Sequence, residues 1–184
     1  MTSPIFYDVI KKYQRHNKIL FDHNSVSLLS LINLIENSKH RVLILWAFFM
    51  VEQVCSQLKR DNVDDKLILN AVNITKSWSK GLLKMNEAKH SILTVHSMAK
   101  EFDNPSIIAK LHAIGHGLST VHVKTHALGL IFYELTSIVR DFGIEHFESH
   151  VIKRIDFYEK KLDYYSNTYD YINQVWASFL IENK

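Results

Sequence analysis

Four histidines, His112, His116, His122 and His126, fall in the stretch LHAIGHGLSTVHVKTHA (111–127). Their spacings are four, six and four. On one continuous α-helix, at about 100° per residue, they stand at about 0°, 40°, 280° and 320°, inside an arc of about 120°. Two chemistries suit such a face. His-x-x-x-His sets two imidazoles one turn apart, a spacing that chelates zinc or another divalent ion. The other is a buried polar network, or a proton-transfer or small-ligand pocket, built from the same rings.

For a metal, His112–His116 and His122–His126 are the two chelating pairs, about 15 Å apart along a straight helix, so one ion joins them only if the helix breaks. A single pair needs a third ligand from elsewhere. His96 is the best placed, making His116, His122, His126 and His96 the expected metal set; Glu87 points from the opposite face of the His96 helix. Neither the Glu of His-Glu-x-x-His nor an Asp within the motif is present, which weighs against an extended metallohydrolase. For the network, with His112 included, Ser119, Thr120 and Thr125 supply nearby hydroxyls. In that case His122→Ala would leave a buried site unfilled, at a cost of about 1–3 kcal/mol.

Other reactive residues carry less. Cys55 has only Lys59 as a basic neighbour within one turn and no paired histidine, so it is no nucleophile. Lys76, Lys80 and Lys84 form an i, i+4, i+8 ridge that is either a solvated face or a partner-binding patch. No phosphate-cradling Gly loop and no Gly-x-Ser-x-Gly occurs.

The elements that position these residues read as helices. The chain of 184 residues is 47% hydrophobic and 22% charged, with five Gly and two Pro. These values fit one globular all-α domain spanning 1–184, a bundle of seven to eight helices. Helices are expected over 4–15, 24–37, 40–59, one stopping at Gly81, then 86–102 and 105–141, with a bend near 123–125. In the fourth, Leu67, Ala71, Ile74 or Thr75, and Trp78 face inward. Asn104 is the N-cap and Pro105 the first residue of the histidine helix, and Gly143 ends it. Ala113, Thr120 and Ala127, with Gly117 near their stripe, admit a close neighbour, so this helix is expected to be central and buried. From about 144 to 181 an aromatic helix carries Ile155, Tyr158, Leu162, Tyr165, Tyr169, Ile172, Trp176 and Phe179 at three–four spacing. That seam closes either on the chain's own bundle or on a second copy as a homodimer.

The net charge of +3 is small and dispersed, unlike a nucleic-acid footprint. The apolar run VLILWAFFMV (42–51) is shorter than the ~20 residues of a membrane span and reads as a core helix. One cysteine fits a reduced, cytoplasmic setting.

The stretches WAFFMVEQVCSQLKRDNVDDKLILNAVNITKSWSKG (46–81), MNEAKHSILTVHSMAKE (85–101) and IGHGLSTVHVKTHALGLIFYE (114–134) resemble a bacterial family of immunity proteins of polymorphic toxin systems. The most specific piece is Gly115-His116 followed, after five residues, by HVKTHALG (122–129). The resemblance covers about 42–140 and includes Trp78, Glu87 and His96, while His112 lies outside the shared pattern. It implies an all-α cytoplasmic protein that binds and neutralises a toxin or effector domain without catalysis. The reading from the residues alone keeps a second possibility open, a metal-dependent hydrolase-like enzyme using His116, His122 and His126.

Overall fold

The computed structural model describes residues 3–181; the ends of the expected 1–184 domain, 1–2 and 182–184, lie outside the described residues. Nine α-helices are present there, with no strand: α1 (Tyr7–Gln14), α2 (Leu29–Asn37), α3 (His40–Arg60), α4 (Lys66–Ser79), α5 (Met85–Met98), α6 (Pro105–Ser119), α7 (His126–Phe142), α8 (Glu148–Thr168) and the single turn α9 (Ser178–Ile181). The all-α bundle is as the periodicity predicts.

Several starts and stops follow local chemistry. Asn104 caps α6, its side chain accepting from Ser106 N at 2.9 Å, with Pro105 in the first turn. The Glu87 carboxylate reaches back to Lys84 N at 2.9 Å at the start of α5. Gly81 and Gly143 end α4 and α7 with φ of 78° and 72°, a region that disfavours any side chain.

α3 is the spine. Leu43, Ile44, Trp46, Ala47, Met50, Val51, Val54 and Leu58 are all buried, which places the longest apolar stretch in the core. By length and composition alone α3 could cross a membrane, but most of its apolar window is covered by protein. α4 buries Ile68, Ala71, Val72, Thr75 and Trp78. Leu67, expected inside, is exposed, because Ile68 takes the inward position.

The expected histidine helix over 105–141 is instead a helical hairpin. α6 stops at Ser119 and α7 starts at His126. In between, Thr120, Val121, Val123 and Thr125 place four β-branched residues in six, a composition that loses χ1 freedom in a helix. Ser119 Oγ and Thr120 Oγ1 donate to the carbonyls of Gly115 and His116, bonding that bends a helix end. The Ser119 carbonyl then accepts from both His122 N and Val123 N, turning the chain. The helices return antiparallel: His112 meets Tyr133, His116 meets His126, and Ser106 Oγ donates to Ser137 O. Gly117 permits this packing, since a Cβ there would collide with Val51 of α3 and Leu130 of α7.

The C-terminal stretch departs from expectation as well. α8 covers only Glu148–Thr168; a 3-10 turn follows at Tyr169–Tyr171, then irregular chain until α9. Tyr158 and Leu162 are buried within the bundle, Trp46 Nε1 donates to Tyr158 O at 3.2 Å, and Tyr165 packs on Phe49. Beyond Thr168 the seam leaves the helix. Ala177 N donates to Ser79 O at 2.9 Å, and Phe179 stacks on Trp78, so the tail closes on the end of α4. The helical half of the seam is thus used within the chain, and no uninterrupted aromatic helix runs from 144 to 181.

Candidate functional site

The hairpin brings together imidazoles that one straight helix would keep apart. His112 and His116 come from α6, His126 from the first residue of α7, and His96 from α5. His96 Nδ1 lies 2.9 Å from His112 Nδ1, and His116 Nδ1 lies 3.2 Å from His126 Nδ1. The His96 ring meets His116 edge-on at 5.4 Å between centroids, linking the two pairs. Tyr133 of α7 stacks on His116 at 5.2 Å and leans on His112 at 5.1 Å. His126 and Tyr133 are seven residues apart, two turns on one face, a signal present in the sequence but not read there.

Glycine makes the room. A Cβ on Gly115 would collide with the His96 ring, 2.5 Å from Cε1 and 2.7 Å from Cδ2. One on Gly129 would lie 2.5 Å from His116 Nδ1. The glycines of the Gly115-His116 … Gly129 pattern are therefore seats for imidazoles of facing helices.

Burial, followed by neighbouring imidazoles, holds His96 and His116 down at about 4. Burial also lowers His112, helped by the Lys18 charge, and His126, helped by His122. At neutral pH all four rings are uncharged. A neutral imidazole has one N–H and one bare nitrogen, so in each pair one Nδ1 donates and the other accepts. Each such pair can relay a proton between its two rings. It cannot keep its geometry once both members of a pair are protonated, because two N–H groups would then face each other.

His122 is not part of the cluster. It is exposed in the α6–α7 turn, 6.3 Å from Trp78 between ring centroids. The expected set His96, His116, His122, His126 is thus divided, and His112 takes the place given to His122. Among the described residues, no three His, Cys, Asp or Glu side chains are arranged to hold a metal ion. Each Nδ1 pair offers two nitrogens facing each other, whereas a catalytic zinc site uses three protein ligands. Ser119 and Thr120, expected to serve the imidazoles, bond helix carbonyls instead, and Thr120 O receives Nε2–H of His40 at 2.6 Å. His40, which starts α3, was not singled out from the sequence.

Two cavities flank the cluster and share His96. One, of about 330 Å³, is lined by Trp78, Met85, Ile92, His122 and His126 among others. The second, of about 520 Å³, contains His112 and Tyr133.

The expected Lys76–Lys84 ridge is broken, because α4 ends at Ser79. Lys76 turns to α3, pairing with Glu52 at 2.5 Å and lying over Phe48. Lys80 and Lys84 sit exposed in the following turn. Cys55 is buried, and burial followed by the Glu52 charge pushes its thiol up to about 12, so it is not a nucleophile.

A second polar centre was not legible in the sequence. Glu134, fully buried on α7, pairs with Arg154 of α8 at 2.5 Å and accepts from Tyr158 Oη at 2.6 Å and Gln57 Nε2 at 3.2 Å. It ties α3, α7 and α8 together on the side away from the imidazoles. Nearby, the buried Lys110 ammonium bridges Asp61 and Asp141 at 2.8 and 2.9 Å.

The hairpin, the paired imidazoles and both glycine seats lie within the stretch that matches a known family. The family described as "Imm-5 like putative immunity protein" matches residues 33–161, well over half of the chain. The chain belongs to this family. The match covers α3 to α7 with the start and most of α8, so the family region includes the Glu134–Arg154–Tyr158 centre as well as the histidines. It extends beyond the 42–140 suggested by the sequence motifs. No curated protein and no solved structure matches the chain.

Proposed function

We propose that this member of the immunity family acts by binding a toxin or effector domain in the cytoplasm and blocking it, without catalysis of its own. The family match over 33–161 carries the reading. The state of the imidazoles supports it: each Nδ1 is spent on another imidazole, and burial lowers all four rings below the ordinary histidine value, which favours the neutral form. The Nδ1 atoms are turned toward one another and not toward a substrate position. The cluster instead fixes the register of α5, α6 and α7, the scaffold that presents the outer faces to a partner.

Co-expression with toxin domains from the same genome tests this. One of them should lose its growth inhibition when this chain is present and co-elute with it as a complex of fixed stoichiometry. Rescue without any complex, or no rescue with any such domain, would refute binding as the mechanism.

A further inference from the structure

The cavity of about 520 Å³ beside the His96–His112 pair has the size of a small-molecule site, typically roughly 300–1,000 Å³. Four parts of the chain build it. The segment after α1 contributes His16 and Lys18; the end of α5 and the turn after it contribute His96 and Lys100. α6 lays Pro105, Ile108 and Ala109 along it beside His112, and α7 adds Tyr133 and Arg140.

Its charge sets it apart. Among the described residues, Lys18, Lys100 and Arg140 line it and no Asp or Glu does. The polar pocket of about 420 Å³ around Lys110 makes the contrast: it too has several cations, but Asp61 and Asp141 line it and pair with the lysine. Arg140 is also under-used. Its Nη2 donates to Asn17 O at 2.8 Å and the guanidinium lies over Tyr13, but Nε is buried without a hydrogen-bond partner among the described residues. A cation that lines a cavity with no acid among the described residues, and whose guanidinium keeps an unpaired donor, is a setting in which an anion gains.

We propose that this cavity binds a small organic anion free in solution, a carboxylate carried on an apolar body. Arg140 and Lys18 receive the carboxylate, and Pro105, Ile108 and Ala109 cover the body. The apolar wall separates this ligand class from inorganic anions, which would leave it unfilled. An imidazole N–H of His112 supplies a third donor, so the site draws on the cluster without using it for chemistry. The proposal stands apart from toxin binding, and either can fail without the other.

Calorimetric titration of the full chain with phenylacetate tests it, with phenylacetamide and inorganic phosphate as comparison ligands. Phenylacetate should saturate with a Kd below about 1 mM. The amide and phosphate should each bind about tenfold more weakly. Arg140→Gln should weaken phenylacetate about tenfold. Lys18→Gln, at an exposed position that leaves the fold intact, should weaken it about threefold. Imidazole resonances of His112 should move on binding, while those of His150, which lines a different cavity, should not. No saturation, equal affinity for acid and amide, equal affinity for phosphate, or unchanged binding in Lys18→Gln would each overturn the assignment.

Discussion

Replacing Gly115 by alanine sets two effects of opposite sign against each other, and the structure says which wins. In a helix interior, Gly→Ala alone stabilises by about 1 kcal/mol. Here the new methyl would lie 2.5 Å from Cε1 and 2.7 Å from Cδ2 of His96, where carbon atoms prefer about 3.5–4.0 Å. The ring must retreat by about 1 Å, which breaks the 2.9 Å bond to His112 and strands one nitrogen in a half-buried site. Overpacking costs about 1–3 kcal/mol and the stranded group about 1–3 more. Subtracting the helix gain leaves a net loss of about 1–5 kcal/mol. At about 2–4 °C per kcal/mol for a chain of this size, the melting temperature should fall by roughly 2–20 °C. A double-mutant cycle isolates the cause, because in a His96→Ala background the obstacle is gone and Gly115→Ala should be neutral or slightly stabilising. Denaturant unfolding of the four proteins supplies the free energies. Equal costs of Gly115→Ala in both backgrounds would show that His96 does not occupy the Gly115 seat.

Stability should also depend on pH through the cluster. His96 and His116 sit at about 4 when folded and near the ordinary 6.5 when unfolded, so below pH 6.5 the unfolded chain takes up protons first. The stabilisation is complete above pH 6.5 and is lost as pH falls toward 4. Screening by water in the flanking cavities leaves roughly 1–3 kcal/mol for the cluster. Urea midpoints at pH 7.5, 5.5 and 4.5 should therefore fall more steeply for the wild type than for His96→Ala/His116→Ala, and parallel slopes would contradict this. Glu134→Ala, which strands the Arg154 charge, should cost about 3–5 kcal/mol in the same assay, and a loss below about 1 kcal/mol would be incompatible with a closed centre. His122→Ala, at an exposed turn, should change stability by no more than about 0.5 kcal/mol, against the larger loss that a buried position would give.

The bundle was legible because its signals are local. Asn104-Pro105, Gly81 and Gly143 punctuate helices through their own φ preferences and capping groups. The hairpin was half legible: four histidines on one face announced a shared environment, but a period of 3.6 reads the same whether the helix continues or folds back after a turn. Four β-branched residues in six marked the break, and nothing local said that His122 would fall into it. The pairing of His96 with His112 follows from how α5 packs on α6, which no spacing within either helix encodes. Glu134 ends a recognised stretch yet looks like any helical glutamate; only α8, arriving with Arg154 and Tyr158, makes it buried and paired. The aromatic seam misled for the converse reason, since its spacing continues past Thr168 while the chain turns away to cover Trp78.

The claim that this protein blocks by binding is tested most directly by stoichiometry. A fixed amount of the toxin domain it protects against is titrated with the chain and residual toxin activity is read at several incubation times. Binding predicts a sharp endpoint at a fixed ratio of chain to toxin, independent of time and unchanged in a folded His96→Ala/His116→Ala variant. Complete inactivation by a small fraction of that amount, progressing with time and abolished in the histidine variant, would contradict it and make the imidazole cluster an active site.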